Sequence, residues 1–495
     1  MVNLKKYPVV IIGAGPAGLT AAYKLVKQGI KPVVLEKADR VGGISRTEVY
    51  KGYRFDIGGH RFYTKVEEIE QLWHEVLGED FIQVPRLSRI YYRDKFFNYP
   101  LSLFNTLSNL GLIESLLILL SYFQAKLWPS PQEETLDKWV TNRFGKRLYK
   151  VFFKTYTEKV WGIPCNKIQA EWAAQRIKGL SLKTSILNAL FGTNNTKTLI
   201  KKFDYPVLGP GMMWERFQEA VENESGEVCL NTRVISVQRK DNHITKVLAQ
   251  QDGKTIQISG EHFISSIPVT TLIHRLDPPA PEEVIQAAKS LNYRNFIIVA
   301  LILDVKDLFA DNWIYIHSGE VKVGRIQNFK NWSAAMVPDP NKTCLGLEYF
   351  CSDGDQISSM TDAELLNLAT KELKKLKLAN VNTIIDGVVL RQPKAYPVYD
   401  CNYRQHLQVI QTFLAGFDNL QTIGRNGMHR YNNQDHSMLT GILAVRNILG
   451  EKHNLWNVNT ERSYYEEFTK NDLNSTVETK ADDLDIKHRD KVVKI

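Results

Sequence analysis

Three glycines stand where a backbone could grip a phosphate. Gly13, Gly15 and Gly18 follow the run Val9-Val10-Ile11-Ile12 at the spacing G-x-G-x-x-G. Four β-branched residues in a row read as a parallel strand buried on both faces. The first glycine permits the tight turn out of the strand. The second lets the main chain approach a pyrophosphate, and the third lets the next helix pack close. Leu19 to Gln28 continues as that helix, with Gly29 as its stop. A second strand, Pro32 to Leu35, ends at Glu36, an acid placed to accept hydrogen bonds from a ribose. The motif alone is a weak signal. Strand, loop, helix, strand and acid in order within about thirty residues make it a dinucleotide site.

More glycine follows the acid. Lys37 comes next, then Gly42-Gly43 with Arg46, which bring further N–H groups toward a phosphate or flavin. This pattern resembles the extended fingerprint of the FAD-containing amine-oxidase and mutase superfamily, and it implies FAD as cofactor. Gly58-Gly59, followed by His60, allows backbone where a side chain would collide, as beneath a flat ring system. Near the C-terminus the strand-like Leu420 to Ile423 runs into Gly424-Arg425, then Asn432 to Ser437 and a long helix. A helix N-terminus there is a second point that could face a cofactor. It is similar to the closing FAD segment of the same superfamily, which implies that Gly424, Arg425, Gln434 and Ser437 contact FAD.

These elements predict an α/β protein: a Rossmann-type FAD-binding domain with a helical insertion and a second β-sheet domain for the substrate. The expected order is FAD-binding part with a hairpin (1–100), mainly helical insertion (101–204) and return to the FAD-binding part (205–290). A second sheet (291–415), a closing FAD segment (416–450) and a polar tail (451–495) follow. The 495 residues suffice for two or three domains, and 43% hydrophobic residues is ordinary for a globular enzyme. The net charge of +9 is spread out, which suits an anionic small substrate and gives no patch for nucleic acid. Five cysteines without a C-x-x-C pair argue against a disulfide framework or a metal site and suit a reducing compartment. No cleavable signal precedes the first strand, so the expected location is cytoplasmic. The apolar stretch Leu110 to Leu127 is too interrupted to span a bilayer and is expected as a buried helix. Peripheral membrane contact is its alternative reading. The oligomeric state is left open.

Several segments narrow the function. Thr155-Tyr156-Thr157-Glu158-Lys159-Val160-Trp161-Gly162 resembles a segment of the UDP-galactopyranose mutase family, as do the hairpin Ile90 to Pro100, Gly324-Arg325-Ile326, Ala395-Tyr396-Pro397-Val398 and Asn433-Gln434-Asp435-His436-Ser437. Glu171-Trp172 with Arg176 is similar to the eukaryotic type. The resemblance implies interconversion of the pyranose and furanose forms of a UDP-sugar, begun by attack of reduced FAD N5 on the anomeric carbon. It implies that Arg176 and Arg325 hold the diphosphate, that Tyr156, Tyr396 and Tyr431 add hydroxyls, and that Tyr99 and Trp161 lie near the nucleotide. His60 would sit over the flavin, and NAD(P)H is a possible reductant. Leu180 stands about where prokaryotic mutases carry a second arginine, and the loop Gly209 to Trp214 is bulkier than the family's, which leaves the sugar open. Two other functions remain at this stage: an oxidase or desaturase of the protoporphyrinogen-oxidase or amine-oxidase type, and a non-catalytic FAD-binding protein.

Overall fold

The structure is a computed structural model that describes residues 4–99, 101, 103–170, 198–199, 201–460 and 467–468. The strand Leu4–Ile12 lies at the centre of an eight-stranded sheet, between Pro32–Leu35 and Lys254–Ser265, and runs parallel to both. Glu227–Cys229 continues the parallel side beyond Pro32–Leu35. His243–Gln251 and Thr232–Lys240 extend the other side as an antiparallel meander. The short strand Leu420–Thr422 pairs with the end of Lys254–Ser265, so the closing segment arrives beside the first strand.

Burial explains the continuous apolar run of the first strand. Ile11 packs into the cluster on one face of the sheet with the helix Pro16–Val26 and the closing helix Gln434–Ile448. Val10 and Ile12 join the cluster on the other face. Full burial of such side chains contributes roughly 1.5–3 kcal/mol each. The two helices cross closely where Gly441 faces Ala17: a Cβ on Gly441 would stand 2.5 Å from the Ala17 carbonyl oxygen.

The second sheet has seven strands in the order Ile384–Pro397, Tyr293–Leu303, Thr343–Cys351, Arg325–Asn328, Trp313–Ile316, Ser88–Tyr92 and Lys95–Asn98. The hairpin is therefore not part of the nucleotide-binding sheet with which the sequence groups it. Its strand Ser88–Tyr92 pairs in parallel with Trp313–Ile316, across more than two hundred residues of sequence that local pattern cannot bridge.

The insertion is helical from Leu103–Leu110 through Leu112–Leu127 and Leu136–Phe144 to Thr155–Trp161, with a π-turn over Tyr149–Lys154. Gly145 interrupts the helical run at φ +84°, where its α-hydrogen lies against the backbone of Ser121 and Tyr122. The apolar helix corrects the expectation of a core element. Its packed side is Ser115, Ile118, Tyr122 and Ala125. Leu112, Ile113, Leu116, Leu120, Phe123 and Leu127 face solvent, Leu112 at 90% exposure. The packed stripe is narrow, so most of the large apolar side chains of this helix fall outside it. No helix among the described residues is long and apolar enough to cross a membrane.

Candidate functional site

A cavity of about 890 Å³ runs between the two sheets, from the tip of the second strand to the face of the second sheet. That is near the upper end for ligand pockets, and the lining runs from Glu36 to Arg325. Its walls come from the first glycine loop, the Gly42-Gly43 turn, the Gly58-Gly59-His60 segment, residues 391–396 and the closing segment 424–437.

At the nucleotide end the geometry follows from the glycines. Gly13 turns at φ +104°, and its N–H donates to the Leu35 carbonyl. Gly15 lines the cavity and a Cβ there would meet nothing nearer than Gly43 Cα at 3.9 Å. Gly18 does not line the cavity. A Cβ on it would stand 2.0 Å from the Gly13 carbonyl oxygen, so it closes the helix onto the loop. Gly42 also lies behind the wall, in a left-handed turn at φ +98° whose N–H donates to Ala14, while Gly43 faces the cavity. Glu36 Oε2 accepts from the Ala14 N–H at 2.8 Å and Oε1 from the Ala38 N–H at 2.9 Å. These bonds hold the carboxylate rigidly at the cavity edge and leave it further lone pairs for a ribose. Lys37 stands beside it on the wall.

The Gly42-Gly43 turn is tied to the closing segment. Ser45 Oγ donates to Gln434 Oε1 at 2.7 Å, and Arg46 Nη1 donates to the Gly43 carbonyl and to Gln392 Oε1. Gln434 Nε2 and Asn426 Oδ1 are buried without a partner, and both residues line the cavity. Orphaned polar atoms in a cavity wall call for a polar ligand. Together with the open space at Gly15, they fit FAD. Gly424 and Ser437 complete this wall.

The other end is charged and aromatic. Arg325 opens the strand Arg325–Asn328, in register with Tyr315 on one neighbour and Glu348 on the other. Its Nε donates to Glu348 Oε2 at 2.5 Å, and Gln327 Nε2 donates to the other oxygen of Glu348. Glu348 is fully buried. Burial opposes charge on Arg325, but the Glu348 carboxylate outweighs it and holds the guanidinium cationic. Burial raises Glu348, and Arg325 pulls it back. Gly58 makes room at this point: a Cβ on it would be 3.7 Å from Arg325 Nη2.

Tyr396 and Tyr431 stack at 5.7 Å, and the Arg425 guanidinium lies 3.9 Å from the Tyr431 ring centroid and 4.9 Å from that of Tyr396. Arg425 Nε and Nη2 have no hydrogen-bond partner. The sequence reading gives Arg425 to the cofactor; its head stacks on the tyrosine pair, and its Nη1 donates to the Asn432 carbonyl at 3.3 Å. His60 lines the same end and its Nε2 bonds the Ile57 carbonyl at 2.8 Å.

Tyr156 does not line this cavity. It stacks on His317 at 4.7 Å and packs edge-on against Tyr315, which in turn meets Tyr99 at 5.0 Å. Trp161 is buried against Tyr396 and Tyr431 and lines a neighbouring cavity of about 790 Å³. Arg176 lies outside the described residues. Sequence reasoning missed Glu348 and Gln327, which hold Arg325 from behind the cavity wall, and Tyr315, His317 and Arg86, which pack around Tyr156 and Tyr99 outside it. The Arg86 guanidinium lies 5.5 Å from both Tyr99 and Trp313. Strand alternation places Arg325 and Gln327 on one face, but only pairing with residue 348 reveals their shared acid.

Burial pushes the His60 imidazole down to about 4, with Arg425 and Arg325 adding to the effect. A histidine kept neutral in the fold takes up a proton in the unfolded chain first. Its contribution is therefore complete above the unfolded value of about 6.5 and is lost as pH falls toward 4. Thermal denaturation of His60→Asn should show a shallower loss of Tm across that window than the parent. Equal slopes would remove His60 as a proton-linked group.

With this geometry in hand, residues 11–76 match the NAD(P)-binding Rossmann-like domain, and residues 172–420 match the flavin containing amine oxidoreductases. The chain belongs to that amine oxidoreductase family. Members are flavoproteins, in keeping with a cavity that fits FAD. Similar proteins include a 15-cis-phytoene desaturase of Capsicum annuum, 24% identical over 395 residues, covering 75% of this chain and 65% of the desaturase. An L-amino-acid oxidase of Crotalus adamanteus is 24% identical over 320 residues, covering 58% of this chain and 56% of the oxidase. The matched part is thus under two thirds of either relative's length. Among solved structures, reduced UDP-galactopyranose mutase superposes with a TM-score of 0.81 at 20% identity, over 93% of this chain and 99% of that one. A putrescine oxidase variant superposes at 0.62 and 18% identity, over 91% of this chain and all of that one. At such identities the likeness is one of fold.

Proposed function

We propose that this flavoprotein is a nucleotide-sugar mutase that interconverts pyranose and furanose forms of a UDP-sugar, of the UDP-galactopyranose mutase type. The observation that carries the reading is that Arg325, Arg425, Tyr396 and Tyr431 line one cavity, with Arg425 stacked on the tyrosine pair. A hydrocarbon or a simple amine needs no such cations; an amino-acid carboxylate needs one, and a diphosphate takes both. The mutase-like fold over nearly the full length supports the same reading.

In this mechanism Arg325 and Arg425 bind the diphosphate oxygens, since planar guanidinium groups stay charged and meet phosphate in pairs of bonds. Glu348 holds Arg325 in place from behind, so the donors are aimed before the substrate arrives. Charge accumulates on the diphosphate as the anomeric C–O bond breaks, and preorganised cations stabilise it most at that moment. Tyr396 and Tyr431 donate hydroxyl hydrogen bonds to the same group. Bound, reduced FAD supplies the nucleophile for the anomeric carbon, with no net redox change, and NAD(P)H is the proposed source of its electrons. The desaturase and oxidase relatives point to a second reading, oxidation of a small substrate at the same flavin.

The test is product analysis. Dithionite-reduced protein incubated with UDP-galactopyranose should yield the furanose isomer without consuming oxygen. No isomer under reducing conditions, together with oxygen uptake on an amine or polyene substrate, would reject the mutase.

A further inference from the structure

We propose that the helix Leu112–Leu127 docks this protein on the surface of an anionic lipid bilayer, lying in the plane of the headgroups without crossing. The inference needs no assignment of the reaction. It starts from the outward hydrophobic face. Leu112, Ile113, Leu116, Leu117, Leu120, Phe123 and Leu127 share an arc of about 140° at the helical 100° per residue and are all exposed. Trp128 follows at the C-terminal end, 75% exposed. Seven large apolar side chains on one face exceed the scattered exposure normal for a surface. The opposite face is occupied: Ser115 bonds backbone carbonyls of residues 107 and 111, and Ile118, Tyr122 and Ala125 pack inward.

Charge selects the occupant. The helix's one acid, Glu114, is held by both arms of Arg147 at 2.6 and 2.8 Å. The Arg147 N–H also bonds Ser121 Oγ, which lays the segment with Lys146 and Lys150 along one edge of the apolar face. Lys126 stands at the other edge and bonds the Asn142 carbonyl. The nearby acids Asp94 and Glu133 are paired with Lys377 and Arg143. Lys126, Lys146 and Lys150 form no ion pair among the described residues. An apolar stripe bordered by cations, with a tryptophan at its end, suits acyl chains below and anionic headgroups beside it. A second copy laid on the same face would bring like-charged edges together, which is unfavourable.

Sedimentation of the flavin-loaded full chain with vesicles tests this. Phosphatidylcholine vesicles containing phosphatidylglycerol should carry the protein down, those of phosphatidylcholine alone should carry much less, and added salt should weaken binding. The triple variant Leu116→Ser, Leu120→Ser, Phe123→Ser should keep its flavin and Tm, since these side chains face solvent, yet lose vesicle binding at least about tenfold. The proposal is overturned by wild type that binds neither vesicle, by binding indifferent to phosphatidylglycerol, or by a triple variant that binds as before. It is also overturned if wild type is a dimer that the triple substitution makes monomeric and neither form binds lipid, in which case a second copy covers the face.

Discussion

Arg325→Ala should leave FAD bound and reduce turnover in the proposed mutase reaction by about 10²–10³-fold, the usual cost of deleting one preorganised donor to developing charge. The expectation has a confounder that the structure exposes. Glu348 is fully buried and Arg325 is its only cationic partner among the described residues. Removing one member of such a pair strands the other and costs about 3–5 kcal/mol of stability. A single substitution could therefore lose activity through unfolding. Arg325→Ala combined with Glu348→Gln removes the stranded charge and still lets Gln327 bond a carboxamide at position 348. The double variant should regain most of the Tm and none of the turnover. Arg325→Lys should fall between, since ammonium keeps the charge and loses the planar fork. Steady-state rates with UDP-galactofuranose, flavin absorbance and melting curves read the three effects apart. Recovery of turnover in the double variant would make Arg325 a structural counter-ion and nothing more.

How much could be read beforehand depended on the range of the interactions. The glycine loop, Glu36 and the Gly42-Gly43 turn are legible because each glycine answers a local need: a positive φ, an open wall or a close crossing. The two-sheet architecture is legible from a buried β-branched run and a later block of strands. The hairpin is legible as a hairpin and not as a member of the second sheet, because its pairing with Trp313–Ile316 is set by tertiary contact. The apolar helix is misread for a related reason. Composition says how hydrophobic a helix is, and only its neighbours say which side they cover. The charged end of the cavity is partly legible. Arg325 and Tyr396 stand in short quotable segments, whereas Glu348 and Gln327 matter through a cross-strand meeting that no local pattern announces.

Gly15→Val should abolish FAD binding while leaving the folded protein in place, and the two halves of that statement rest on separate observations. Gly15 adopts an extended backbone, φ −81° and ψ −178°, which valine accepts without strain. A Cβ at this position meets only Gly43 Cα at 3.9 Å, so the apoprotein has room for it. That room is the cavity itself, at the N-terminus of the helix Pro16–Val26 where a pyrophosphate would rest on backbone N–H groups. Isopropyl carbons there occupy the space of the phosphates. The variant should purify colourless, with a Tm close to that of parental apoprotein. Added FAD should leave that Tm unmoved, whereas for the parent a hundredfold excess over Kd is worth about 2.7 kcal/mol. Gly18→Ala provides the contrast. Its Cβ would lie 2.0 Å from the Gly13 carbonyl oxygen, a backbone atom that cannot swing aside, so the smaller substitution should cost the fold as well as the cofactor. A yellow Gly15→Val protein with parental flavin content would mean that the pyrophosphate does not pass this glycine, and the cavity would need a different occupant.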